Sequence, residues 1–151
     1  MLFFREMPAP RIWVFFYGSY MNPDVLREVD VVPERLEPAR LSGFDIVIGP
    51  RANLVRSDQH AVYGVCAQAT HEELDRLYAH ARNVLGEIYL PEPVLAELLD
   101  GSLRPAVCYL CPEMAPRPAE AGYVDRILAP AERFGFPPWY LERIRSFSPK
   151  G

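Results

Sequence analysis

Phe15-Phe16-Tyr17-Gly18-Ser19-Tyr20-Met21-Asn22-Pro23-Asp24 joins an apolar run to a helix start, and its reading organises the rest of the chain. Ile12 to Phe16 is a short block of bulky residues, the pattern of a largely buried strand. Gly18 permits a tight turn and Ser19 supplies a hydroxyl. Asn22 then fits an N-cap, with Pro23 at the first helical position. If the amides after Gly18 converge, they can bind a carboxylate or stabilise developing negative charge. Tyr17 and Tyr20 would wall such a pocket and add hydroxyls. The plainer alternative is a strand-to-helix turn filled by aromatic packing. The segment is too short for a phosphate-binding Walker loop and lacks both GxGxxG and the GxSxG nucleophile elbow. Ser19 has no placed base beside it in sequence, so a binding role is expected rather than a covalent one.

Outward from that loop, further strands are expected at Leu41 to Gly49 and Ala61 to Gln68. Thr70-His71-Glu72-Glu73 has the form of a capping box, and Leu74, Leu77, Tyr78 and Ala81 make one apolar helix face. Ile88 to Leu90 and Val94 to Leu98 read as strand material interrupted by Pro91 and Pro93. Asp100-Gly101 reads as a tight turn into a strand at Arg104 to Cys111. Beyond Pro112 the chain becomes helical. Pro118 is expected to enter a helix that turns Tyr123, Val124, Ile127 and Leu128 to the core, and Pro130 threatens its continuation. Pro137-Pro138 marks a stop and restart before Tyr140, Leu141, Ile144 and Phe147. Neither end has a core pattern of its own, so one domain over residues 1–151 is expected, with its core at about 12–147.

The 151 residues are half hydrophobic and 24% charged, with a net charge of −4. That composition fits a folded domain and gives no electrostatic case for nucleic acid. No stretch approaches the roughly 20 apolar residues of a membrane helix. The first residues lack the basic-then-apolar order of a secretory signal, so a cytoplasmic location is expected. Three cysteines argue against a disulfide scaffold. Cys108 and Cys111 match CxxC, but three residues along a strand point to opposite faces, so packing and a free thiol are expected. Without a nearby histidine or a second pair, no metal site is expected.

These features together resemble the gamma-glutamylcyclotransferase-like, or AIG2-like, family. Tyr17-Gly18-Ser19 leading into Met21-Asn22-Pro23 is similar to the family's YGS turn and short helix. Val62-Tyr63-Gly64-Val65 resembles its later V-x-G strand, and Thr70 through Asp75 the approach to its catalytic segment. The tail from Tyr123-Val124 through Trp139-Tyr140 looks like the terminal helices of bacterial relatives. The resemblance implies an α+β fold, a compact mixed β-barrel with peripheral helices. It implies lyase- or transferase-like release of 5-oxoproline and a free amine from a γ-glutamyl amine or peptide, with no cofactor. In that reaction the substrate's α-amine attacks its own γ-carbonyl. A protein carboxylate takes the amine's proton and returns one to the leaving nitrogen. Amides of the YGS turn hold the substrate in its cyclising pose.

In the family a glutamate stands three residues after the Leu-Asp pair; after Leu74-Asp75 that place falls on Tyr78. With a reference pKa near 10, Tyr78 reads as a hydrogen-bond donor or pocket wall rather than a base. Glu87, just before Ile88-Tyr89, is the leading substitute, ahead of Glu92, Glu97 and Asp75. Its plainer reading is a solvent-facing charge beside Gly86. Arg51 and Arg56 are candidates for gripping a substrate carboxylate, against the plainer reading of exposed connector arginines. His60, His71 and His80 are scattered and form no triad. The site is therefore expected at Tyr17, Gly18, Ser19, Tyr20, Met21 and Tyr78, with Glu87 as base, for a small γ-glutamyl or carboxylate-bearing metabolite. The alternatives are a binding domain that lost its base, and a protein-interaction domain with a residual pocket. Oligomeric state stays open.

Overall fold

The structure, a computed structural model, describes residues 9–149; the reading of the first eight residues lies outside them. Five strands close into a barrel, ordered β1 (Arg11–Phe16), β3 (Ala52–Thr70), β2 (Glu34–Ile48), β4 (Leu90–Leu98) and β5 (Leu103–Leu110). β1 runs antiparallel to β3 and parallel to β5, which makes the barrel mixed. The helices α1 (Pro23–Arg27), α2 (His71–Asn83), α3 (Tyr123–Arg133) and α4 (Pro138–Arg145) lie outside the sheet ladder. The expected α+β barrel is what the chain forms.

Val14, Phe15 and Phe16 are all buried, so β1 is covered on both faces. That explains a continuous apolar run where a half-exposed strand would alternate. Thr70 and Glu73 form the reciprocal capping box that starts α2. The Asp100-Gly101 turn joins β4 to β5, with Gly101 at a φ of 86° and Ser102 bonded to the Asp100 carboxylate.

Three boundaries differ from the sequence reading. β2 begins at Glu34 and β3 at Ala52, so the two form a much longer hairpin than Leu41 to Gly49 and Ala61 to Gln68 suggested. Their register shifts between Ser42 and Phe44, where four residues from Ser57 to His60 lie opposite Gly43. This polar, largely exposed bulge hides the strand, whose pairing with β2 holds only on either side of it. β4 contains both Pro91 and Pro93. Its pairing with β2 is confined to Leu98 and Glu97, at the far end from the prolines. Both prolines have the same parity, so their missing donors can share the open edge.

α3 begins at Tyr123 after Gly122, which has a φ of 83°, not at Pro118, and it continues through Pro130. Proline has no N–H for the carbonyl four residues back, here that of Arg126. The Asn22 amide donates to that carbonyl at 3.2 Å, while the Asn22 side-chain oxygen accepts from Asp24 N–H at 3.0 Å. One buried asparagine thus caps α1 and fills the gap proline leaves in α3. Asn22→Ala is expected to lower stability by about 2–4 kcal/mol, from a lost cap and a stranded carbonyl. The shift of the urea midpoint measures it; a shift equal to that of a cap alone would show that solvent replaces the second bond.

Candidate functional site

Past Phe16 the chain leaves the barrel through Tyr17 and Gly18 and makes a single 3-10 turn, Ser19–Met21, before α1. A β-carbon on Gly18 would stand 2.7 Å from that of Ala52, so this close approach to the hairpin requires glycine. Within the turn Met21 N–H bonds to Gly18 C=O and Asn22 N–H to Ser19 C=O. The amides of Gly18, Ser19 and Tyr20 have no hydrogen-bond partner among the described residues.

These three residues line a cavity of about 40 Å³ together with Tyr17, Tyr78, Tyr89, Tyr109, Tyr123, Arg51 and Leu85, among others. One water needs about 10–15 Å³ on this measure, so the cavity has room for a group of carboxylate size. Tyr78 stacks on Tyr109 with centroids 3.7 Å apart and meets Tyr20 and Tyr89 at an angle. Three hydroxyls brace the wall. Tyr17 donates to the Tyr109 carbonyl and Tyr89 to the Ala52 carbonyl, each at 2.7 Å. Tyr123 accepts from Ala52 N–H at 2.9 Å. Both backbone groups of Ala52 are therefore held by tyrosines, which fixes the neighbouring Arg51. Deeper in the hairpin, the buried Asn53 side chain exchanges two hydrogen bonds with the Cys111 backbone and ties β3 to the end of β5.

Burial pushes the phenols of Tyr17, Tyr20, Tyr78, Tyr89 and Tyr123 above their ordinary range, with neighbouring phenols adding to the effect at the first four. At Tyr123 the Ala52 amide works against burial without overcoming it. All five stay protonated at neutral pH. The hydroxyls of Tyr20 and Tyr78 have no partner among the described residues and remain free to donate. Arg51 is the cation of the wall, its guanidinium 5.2 Å from the Tyr123 ring centre and 3.7 Å from the Glu120 carboxylate. The lining contains no carboxylate. Amides, two phenols and a guanidinium set hydrogen-bond donors into an otherwise largely apolar wall, an arrangement that suits an anion.

Of the residues the sequence reading singled out, Tyr17, Gly18, Ser19, Tyr20 and Tyr78 line this space. Met21 is fully buried outside it, with its amide spent in the turn. Glu87 does not face the cavity either. It is buried, with its side chain 8% exposed, on the wall of two neighbouring clefts. Arg56 pairs with Glu92 on an exposed flank, while Arg51 reaches the cavity. Cys108 packs in the core and Cys111 lies against Glu87, in separate surroundings. The sequence reading missed Tyr89, Tyr109, Tyr123 and Leu85 as wall residues. Their signal was weak: tyrosines at one end of two strands and a helix look like ordinary core contacts until the barrel closes.

No curated protein matches the chain. A solved structure named gamma-glutamyl cyclotransferase shares 21% identity, covers 93% of this chain and 90% of its own, and superposes with a TM-score of 0.79. An uncharacterized human protein, loc79017, shares 21% identity over 93% of this chain and 89% of its own, with a TM-score of 0.77. A yeast γ-glutamyl cyclotransferase specific to glutathione shares 14% over 91% and 95%, with a TM-score of 0.63. At these identities the three speak for the fold. The family model described as gamma-glutamyl cyclotransferase, AIG2-like, matches residues 14–126. That match runs from β1 into α3 and takes in the whole donor-lined cavity, and the chain belongs to the gamma-glutamyl cyclotransferase, AIG2-like family.

Proposed function

We propose that the chain binds a small carboxylate-bearing metabolite of the γ-glutamyl class in the tyrosine-lined cavity. The observation that carries this reading is the wall itself, with three unpaired amides, two free phenols and Arg51, and no carboxylate among its lining residues. Such donors desolvate an anion at low cost because they replace the lost water contacts. Family membership supports the γ-glutamyl class, and two of the similar structures are named for γ-glutamyl cyclotransfer.

Binding without turnover is the primary reading. Tyr78 takes the place where the family carries its glutamate, and burial holds its phenol protonated. A protonated phenol cannot accept the proton that leaves the attacking amine. A second reading keeps catalysis. Glu87 is a buried acid in a cleft that shares Arg51 and Leu85 with the cavity. On this reading the substrate's α-amine bonds to the γ-carbonyl carbon, Glu87 accepts the amine proton, and the same proton is returned to the nitrogen as the amide C–N bond breaks.

Calorimetry with γ-glutamyl-n-butylamine, its α-carboxyl methyl ester and free butylamine tests the first reading, with 5-oxoproline measured in parallel. The expected result is binding of the first ligand, at least tenfold weaker binding of the ester, and none of the amine. Equal affinity for acid and ester would overturn the donor-wall reading. Release of 5-oxoproline by the wild type, lost in Glu87→Gln, would replace binding alone with the catalytic reading. A chain that neither binds nor turns over these compounds would leave the protein-interaction alternative.

A further inference from the structure

We infer that the cleft around Glu87 is a second subsite, which takes a cationic group at the far end of the same ligand. The inference rests on the proposed carboxylate site and goes on to name the ligand's other end.

Size sets the problem. About 40 Å³ accommodates a carboxylate and little more, so the remainder of any γ-glutamyl compound lies outside the cavity. Two spaces adjoin it. One, of about 360 Å³, shares Tyr78, Tyr89 and Tyr109 with it, so the Tyr78–Tyr109 stack, with ring centroids 3.7 Å apart, belongs to both walls as a rigid aromatic pair. The other, of about 110 Å³, shares only Arg51 and Leu85. Its partition is two flexible side chains, and one of them is the cation expected to hold the carboxylate. A ligand anchored on the amides and Arg51 therefore continues past Leu85.

Glu87 waits on that side, and its own bonding is incomplete. Its carboxylate is buried, yet it receives no hydrogen bond from a nitrogen or oxygen donor among the described residues. The Cys111 thiol lies 3.7 Å from one oxygen and an Arg117 nitrogen 3.8 Å from the other. Charge-assisted bonds between nitrogen and carboxylate run about 2.7–2.9 Å, so the Arg117 contact is long, and the thiol that does donate is a weak donor. Arg117 is 67% exposed and bridges in from solvent, which lets a competing cation displace it. With a weak thiol donor on one oxygen and a long contact on the other, a primary ammonium, which supplies three donors, is the stronger partner for this carboxylate. Glu120, on the same cleft wall, adds a second negative charge beyond it. The cleft holds Arg51 and Arg117 beside the two glutamates; with Arg51 engaged by the carboxylate and Arg117 displaced, Glu87 and Glu120 face an ammonium at the ligand's other end.

γ-Glutamyl-putrescine and γ-glutamyl-n-pentylamine differ only in whether the tail ends in ammonium or methyl, and calorimetry with both tests the inference. The wild type is expected to bind the ammonium-ended ligand at least tenfold tighter, and Glu87→Gln to bring the two to similar affinity. Arg117→Ala, an exposed change that needs no core adjustment, is expected to widen the preference by removing the competing cation. Equal binding of both ligands by the wild type overturns the second subsite and leaves the carboxylate site standing. A preference that survives Glu87→Gln, confirmed folded by circular dichroism, also overturns it. Binding of neither ligand overturns both sites together.

Discussion

Gly64→Ala unfolds the chain or leaves it soluble only as a minor fraction, with a stability loss of at least about 3 kcal/mol. A single methyl there would sit 2.3 Å from the Phe16 carbonyl oxygen and 2.6 Å from the Phe15 ring. The ring can turn; the carbonyl cannot, because β1 is locked to β3 in continuous register from Arg11 to Phe16. Relief requires separating the two strands at the centre of the barrel, where Val14, Val62 and Val65 are fully buried. Gly86→Ala provides the contrast. Its φ is 78° but nothing lies within 4 Å of the added carbon, so backbone strain alone should cost about 1 kcal/mol. Urea unfolding of both variants decides between them. Equal losses would mean that the barrel yields at β1 and that the close approach is not a constraint.

Local signals carried much of the fold into the sequence. Thr70 and Glu73 announce α2 because both halves of a capping box lie within four residues. Val14 to Phe16 announce β1 because burial on both faces leaves no polar position. The errors fall where a distant partner decides. Ser57 to His60 lie within β3 only because β2 pairs with Arg56 and Ala61 on either side of them, and their polarity gives no hint of it. Pro130 reads as a helix breaker, yet Asn22, 108 residues earlier, supplies the donor that α3 lacks.

The candidate site divides in the same way. Tyr17 to Tyr20 are contiguous, so a strand, a glycine and a turn suffice to bring them together. Tyr89, Tyr109 and Tyr123 reach the cavity from β4's approach, β5 and α3, and only barrel closure makes them neighbours. Glu87 reads as a surface charge beside glycine. Its burial follows from the packing of the Gly49–Ala52 turn, Cys111 and Arg117 around it, which spans most of the chain.

Arg51→Ala is expected to weaken binding of γ-glutamyl-n-butylamine about 10- to 100-fold while leaving the fold intact. A hydrogen bond to a charged group is worth about 1.5–3 kcal/mol, and each 1.4 kcal/mol is tenfold in affinity. The loss should be specific because little else depends on this side chain. Its ion pair with Glu120 is long, at 3.7 Å, and Glu120 is 72% exposed, so the pair contributes little stability. The backbone beside it is held independently, since Tyr123 and Tyr89 bind the N–H and C=O of Ala52. Arg51→Lys separates charge from geometry. If the guanidinium grips the carboxylate with two parallel bonds over the Tyr123 ring, lysine keeps the charge and recovers only part of the affinity. Calorimetry of the three proteins, with the melting temperature of each, reads the result. Undiminished affinity in Arg51→Ala would show that the free amides of Gly18, Ser19 and Tyr20 hold the anion alone. Full recovery in Arg51→Lys would show that the cavity responds to charge and not to the guanidinium's shape.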